Sequence, residues 1–192
     1  MDRLEALHNV GVVHRDLKPE NFLIGTGESS NTIYLIDFGL STQFYDYIAN
    51  SHVPYNETHQ LVGTPLYASL YRHRGVSHSR RDDLISLVYI FLHFLRGSLP
   101  WQDVQGTAGG RNEQMAMLKE KTKPYQLCRG FPNAVATLYD YVMLLRFDER
   151  PNYLYIRLLL RECLLASATR PLDGIRQVYD WEMEPQDREG RM

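Results

Sequence analysis

Residues 14–21 read His14-Arg15-Asp16-Leu17-Lys18-Pro19-Glu20-Asn21. The stretch is polar, and apolar pairs flank it, Val12-Val13 before and Phe22-Leu23-Ile24 after. That pattern predicts a loop pinned between strand-like ends. Within eight positions it carries a carboxylate, an ammonium and an amide, at Asp16, Lys18 and Asn21. Either Asp16 or Asn21 alone would be read as a turn-capping side chain. A second group, Asp37-Phe38-Gly39, follows the apolar run 33–36.

Working outward, residues 2–9 read as the end of a helix, with Leu4 and Leu7 on one face and Gly11 as a stop. Residues 22–36 read as a small β-hairpin with a loose connector over 25–31. Residues 39–78 hold no lasting period and contain Pro54, Gly63, Pro65 and Gly75, so a long loop is expected there. A loop of that length in a compact domain is usually functional or disordered. Residues 79–96 are then predicted as a helix. Asp82 and Asp83 fall in its first turn, where the helix dipole favours negative charge. Leu84, Leu87, Val88, Ile90, Phe91, Leu92, Phe94 and Leu95 cover nearly every face, which places this helix at the centre of a domain. Gly97 should end it. Helices are also predicted over 111–121, 133–145 and 153–165. Residues 182–192 are polar and expected to be a disordered tail. The resulting fold class is mainly α with a small β-hairpin.

The 192 residues suit one domain, or most of one. A formal net charge of -2 gives no global reason to expect nucleic acid or an acidic membrane as partner. Cys128 and Cys163 form no CxxC pair and read as reduced core residues. The seven histidines show no zinc-ligand spacing, so no structural metal is expected. The first nine residues are amphipathic, unlike a signal peptide. The longest apolar stretch, 84–95, is too short to span a bilayer and is interrupted by Ser86 and His93. The expectation is a soluble protein of the cytoplasm or nucleus.

Taken together, the loop at 14–21 and Asp37-Phe38-Gly39 resemble the catalytic loop H-R-D-x-x-x-x-N and the D-F-G element of protein kinases. Seven fixed residues in the right order and context make the pair a specific signal. The chemistry accounts for the residue types. Phosphoryl transfer needs a carboxylate near the incoming hydroxyl, a role that fits Asp16. Magnesium prefers hard oxygen ligands, and Asn21 and Asp37 offer an amide oxygen and a carboxylate. Lys18 would place positive charge beside the transferring phosphoryl group. Gly63-Thr64-Pro65-Leu66-Tyr67 resembles the substrate-facing end of the kinase activation segment, with Thr64 as the threonine that bonds the catalytic Asp and Lys in serine/threonine kinases. By the same resemblance, Asp83 holds the catalytic-loop backbone, Leu23 lies on the adenine floor, and Phe38 and His14 belong to the column that joins the lobes. For these last three the plain reading is a core position, and both readings can hold together.

Several stretches narrow the resemblance to the casein kinase I family. These are His52-Val53-Pro54-Tyr55, Tyr67-Ala68-Ser69, Ser79-Arg80-Arg81-Asp82-Asp83-Leu84, Gly97-Ser98-Leu99-Pro100-Trp101-Gln102, Leu145-Arg146-Phe147-Asp148 and Tyr179-Asp180-Trp181. Most protein kinases have Ala-Pro-Glu where this chain reads Ser69-Leu70-Tyr71, and that family also lacks the Glu. The resemblance implies a serine/threonine kinase using ATP and Mg2+ on protein substrates, including acidic or pre-phosphorylated ones. Arg80 and Arg81 match one part of the family's basic, anion-binding site. Of the second part, a Lys/Arg-rich run, only Arg111 remains in Ala108-Gly109-Gly110-Arg111-Asn112-Glu113.

The 192 residues contain no G-x-G-x-x-G loop and no VAIK-type lysine. The expectation is therefore the C-terminal lobe of the kinase fold over 1–181, without the lobe that covers ATP. Two readings stand side by side: a truncated kinase, inactive as this piece, or a non-catalytic kinase-like binding or regulatory fragment.

Overall fold

A computed structural model describes residues 1–57 and 60–167 of the chain. Helix α1 (Asp2–Asn9) leads into strand β1 (Val12–Val13). The polar loop follows, and ends in a 3-10 turn over Pro19–Asn21. Strands β2 (Phe22–Ile24) and β3 (Ile33–Leu35) pair antiparallel, with Leu23 opposite Tyr34, as the hairpin reading predicts.

The long segment after Gly39 is more ordered than its sequence suggests. It contains β4 (Thr42–Gln43), β5 (Tyr45–Asp46), β6 (Ser51–His52) and the short helix α2 (Leu70–His73). β4 pairs with β1, and β5 pairs with β6. Two-residue strands are too short to show a period of two, so no alternation could have revealed them. The pairing of β4 with β1 brings the segment back beside the entrance to the polar loop.

The centre of the molecule is α3 (Arg80–Arg96). Leu84, Ile85, Val88, Tyr89, Ile90 and Leu92 are all buried on it. Its first turn is fixed by Asp82, whose carboxylate accepts the Ser79 N–H at 2.8 Å and the Ser69 hydroxyl. Asp82 is thus a buried tie as well as a favourable charge at the helix start. The all-round apolar reading fails only in the last turn, where Phe94 is exposed. Gly97 closes the helix at φ 78°, a left-handed conformation that favours glycine.

Around α3 lie α4 (Ala108–Lys121), α5 (Pro124–Leu127), α6 (Asn133–Leu144) and α7 (Tyr153–Ser167). α4 starts earlier than the predicted 111. The Thr107 hydroxyl caps it by accepting the Gly110 N–H at 3.4 Å, and two glycines are tolerated in that first turn. α6 packs between α3 and α7 and contributes Leu138 and Val142 to the core. Trp101 is fully buried edge-on against Tyr89, with ring centroids 4.9 Å apart. Both cysteines are buried, as expected. Among the described residues, no helix is long and apolar enough to cross a membrane. The stretch Tyr179-Asp180-Trp181 and the tail at 182–192 lie outside the described residues.

Candidate active site

The polar loop 14–21 is built on a buried carboxylate. Asp83 is fully enclosed and accepts the backbone N–H of His14 at 2.7 Å and of Arg15 at 3.0 Å. Its two oxygens also meet His8 Nε2 at 3.0 Å and His78 Nε2 at 2.8 Å. Burial alone would push this carboxyl up. The charge and hydrogen bond of His78, then those of His8, outweigh burial and hold it well below the usual carboxylate range. The two amide bonds fix a sharp turn, because Arg15 is held at φ 75°, a region a side chain enters only when its surroundings demand it.

That turn presents Asp16 toward the long segment. One Asp16 oxygen accepts both the backbone N–H of Thr64, at 2.7 Å, and its hydroxyl, at 2.6 Å. The other oxygen lies 3.0 Å from the Lys18 ammonium. Burial raises the Asp16 pKa, but the Thr64 hydroxyl, Lys18 and the Thr64 amide together pull it lower, and the net shift is downward. Lys18 moves the opposite way, raised chiefly by its bond to Asp16 and then by Asp16's charge. The carboxylate and the ammonium are both ionised at neutral pH.

The close approach of the two segments depends on Gly63. It adopts φ +89°, and an added Cβ would stand 2.3 Å from the Arg15 carbonyl oxygen. A side chain there cannot be accommodated without moving the Asp16 loop.

Asn21 and Asp37 are joined through backbone. The Asn21 side-chain NH2 donates to the Asp16 carbonyl at 2.8 Å, which commits the donor end of the amide. The Asn21 carbonyl accepts the Ile36 N–H at 3.0 Å, continuing the β2–β3 ladder by one step. Asp37 is therefore the next residue after Asn21's pairing partner. It takes φ 62°, and its carboxylate accepts the Gly39 N–H at 3.3 Å. An amide oxygen and an exposed carboxylate on adjacent rungs form a donor set that suits Mg2+, which takes few protein oxygens and fills its remaining positions from phosphate and water.

His14 closes the arrangement. Its Nδ1 accepts the Asp16 N–H at 3.3 Å and its Nε2 meets the Ile36 carbonyl at 2.9 Å, which selects the tautomer with hydrogen on Nε2. Its ring packs edge-on against Phe38 at 5.3 Å. His14 is fully buried, whereas Leu23 is 49% and Phe38 50% exposed, so the core alternative holds for His14 and not for the other two.

The structure thus brings Asp16, Lys18, Asn21, Asp37 and Thr64 to one place. Arg80, Arg81 and Arg111 do not join them. The Arg80 guanidinium sits over the Phe44 ring at 4.5 Å and donates to the Asp148 carbonyl at 2.6 Å. Arg81 is buried and stacks on Tyr71 at 3.6 Å. Arg111 is exposed on α4. Reading the sequence alone missed the histidines that hold Asp83. His8 lies six residues before His14 and His78 five before Asp83, and neither spacing is a motif.

The protein kinase domain family matches residues 1–160 of the chain. The chain belongs to that family, whose members generally use ATP and Mg2+.

Proposed function

We propose that the chain is the C-terminal lobe of a serine/threonine protein kinase of the casein kinase I type, spanning 1–181. It would transfer the ATP γ-phosphoryl group to serine or threonine of proteins. The observation that carries this reading is the double donation from Thr64 to one oxygen of Asp16, with Lys18 on the other.

In this mechanism Asp16 orients the acceptor hydroxyl and takes its proton. A carboxylate with a lowered pKa is a weak base, so the proton leaves late, when the hydroxyl oxygen already bonds to phosphorus. That timing suits a loose transition state, in which positioning matters more than early deprotonation. Lys18 then balances charge on the transferred group. Thr64 fixes the rotamer of Asp16. Asn21 and Asp37 would hold Mg2+, whose positive charge would offset the negative charge of the phosphates. Leu23, half-exposed on the hairpin, offers an apolar floor for the adenine ring.

Phosphoryl transfer also needs the nucleotide held from its other side. The 192 residues supply no glycine loop or pairing lysine for that. The alternative, a non-catalytic binding fragment, rests on this same feature. The test is labelled ATP with a full-length kinase carrying these residues, followed by phosphoamino-acid analysis of a mixed peptide pool. Label on serine or threonine alone is expected. Label on tyrosine, or on nothing, would refute the reading.

A further inference from the structure

Lys119 lies in the last turn of α4, within the charged run Lys119-Glu120-Lys121, where a solvated side chain would be expected. It is only 5% exposed. Among the described residues no carboxylate lies within ion-pair distance of it. An ammonium buried without a counter-ion is strongly disfavoured unless other groups take its protons.

Three groups do so. Lys119 Nζ donates to the Pro65 carbonyl at 2.7 Å and to the Ala68 carbonyl at 2.6 Å, and lies 3.0 Å from His73 Nε2. An ammonium has three N–H donors, so each finds one acceptor. Burial first, and then Lys119's charge, push His73 down to about 4, which leaves its ring neutral. With the ring hydrogen on Nδ1, toward the Asn112 backbone, Nε2 accepts from Lys119, and the Pro65 carbonyl 3.1 Å from Nε2 is a contact rather than a second bond. The rings of Tyr89 and Trp101 each stand 5.3 Å from Nζ and present their electron-rich faces to the charge. Burial lowers Lys119's own pKa as well, so these contacts have to offset a real desolvation cost.

The two carbonyls belong to the segment that begins at Thr64. Trp101 Nε1 donates to the carbonyl between them, that of Leu66, at 2.8 Å. The segment therefore hangs by three backbone oxygens, those of Pro65, Leu66 and Ala68, from side chains behind it. At its front end, Thr64 meets Asp16. The N–H groups of Tyr67 and Ala68 both turn back to the Thr64 carbonyl, each at 3.1 Å, so any shift of 65–68 is passed directly to Thr64.

We propose that Lys119 is a positioning residue that sets the placement of residues 64–68 against Asp16, and with it the docking of the acceptor peptide. The proposal rests on the kinase reading only in its last clause. A long flexible side chain with three rotatable donors on one nitrogen suits three acceptors gathered around a single point, which the flat fork of arginine would not match.

Hydrogen exchange on the full chain tests the positioning. Lys119→Met should speed exchange of the Thr64, Tyr67 and Ala68 amides by about tenfold or more, with the α3 amides unchanged. His73→Ala removes one acceptor of three and leaves Lys119 in place, so it should speed the same three amides by a few-fold. It also serves if the methionine variant fails to fold. Unchanged exchange at these amides in a folded variant would overturn the proposal, as would a uniform rise that includes α3. In a full-length kinase carrying these residues, Lys119→Met should raise KM for peptide about tenfold while KM for ATP stays fixed. An equal rise in both would overturn the docking clause. If exchange responds but the unaltered kinase transfers no phosphate, the kinase reading fails and the positioning stands.

Discussion

The backbone N–H of His14 reaches across 69 positions of sequence to the Asp83 carboxylate, at 2.7 Å. The loop that carries Asp16 is thereby anchored to the first turn of the central helix. The same carboxylate takes the Arg15 N–H and two histidine rings, so it has no unpaired lone pair to lose cheaply. Asp83→Ala should lower the unfolding free energy by about 3–5 kcal/mol, because it strands several buried donors at once. Urea unfolding followed by circular dichroism measures this, and a loss below about 1 kcal/mol would remove Asp83 from the anchoring role.

The same residue sets an acid limit. Asp83 and Asp16 both have folded pKa values below the ordinary aspartate value of 3.8. As pH falls through that value the unfolded chain takes up protons that the folded chain refuses. The stability these groups contribute is therefore fully present above about pH 5 and is lost progressively below about pH 4. Asp83→Asn should flatten that acid limb. An equally steep limb in the variant would assign acid unfolding to other groups.

Magnesium dependence should follow charge. Asp37 brings a full negative charge to a divalent ion, whereas Asn21 brings a dipole whose donor end is already committed to Asp16. In full-length kinase, Asp37→Ala should raise the magnesium needed for half-maximal rate more than Asn21→Ala does. A larger effect at Asn21 would reverse the assignment.

Preference for pre-phosphorylated substrates should be weak. An anion site needs donors that converge, yet Arg80 and Arg81 each turn one donor to a backbone carbonyl, of Asp148 and of Leu145, and lay their guanidinium faces on aromatic rings. Arg111 stands apart on α4. The ratio of kcat/KM for a peptide with and without phosphoserine three residues before the acceptor should stay below about tenfold, little more than one charge-assisted bond supplies. A hundredfold preference would show that these arginines rearrange around the anion.

By itself the 192-residue chain should be folded, inactive and prone to associate. The core around α3 is complete enough to give a helical circular-dichroism spectrum. Leu23, Ile24, Ile33 and Phe38, however, are all more than 40% exposed around the hairpin. An apolar patch of that kind drives association. Light scattering should show oligomers at micromolar concentration, and labelled phosphate should not appear in casein above an Asp16→Asn control. A soluble, active monomer would mean that a segment within the chain covers the nucleotide.

Much of the fold was legible because its long elements carry strong periods. The helices at 80–96, 133–144 and 153–167 and the hairpin at 22–35 follow directly from apolar spacing and Gly97. The chemical cluster was legible because Asp16, Asn21 and Asp37 lie in short, contiguous motifs. What escaped detection depends on contacts made at long range. Nothing near Lys119 in sequence marks it as buried, since its acceptors lie 51 and 54 residues away. Arg80 and Arg81 match part of a basic, anion-binding site in sequence, but Tyr71, Phe44 and the turn after α6 cover them. Short strands such as 42–43 form only because β1 is there to pair with them.

Asp16 is the residue proposed to carry the chemistry. In full-length kinase, Asp16→Asn keeps the size of the side chain and an acceptor for Thr64, but removes the charge and the base. Phosphate transfer to peptide should fall by about 10²–10⁴-fold, the range for a positioned acid–base group. ATP affinity should be nearly unchanged, because Asp16 faces the acceptor hydroxyl. Single-turnover transfer with labelled ATP, measured beside nucleotide binding, gives both quantities. Transfer at the unaltered rate would contradict the account.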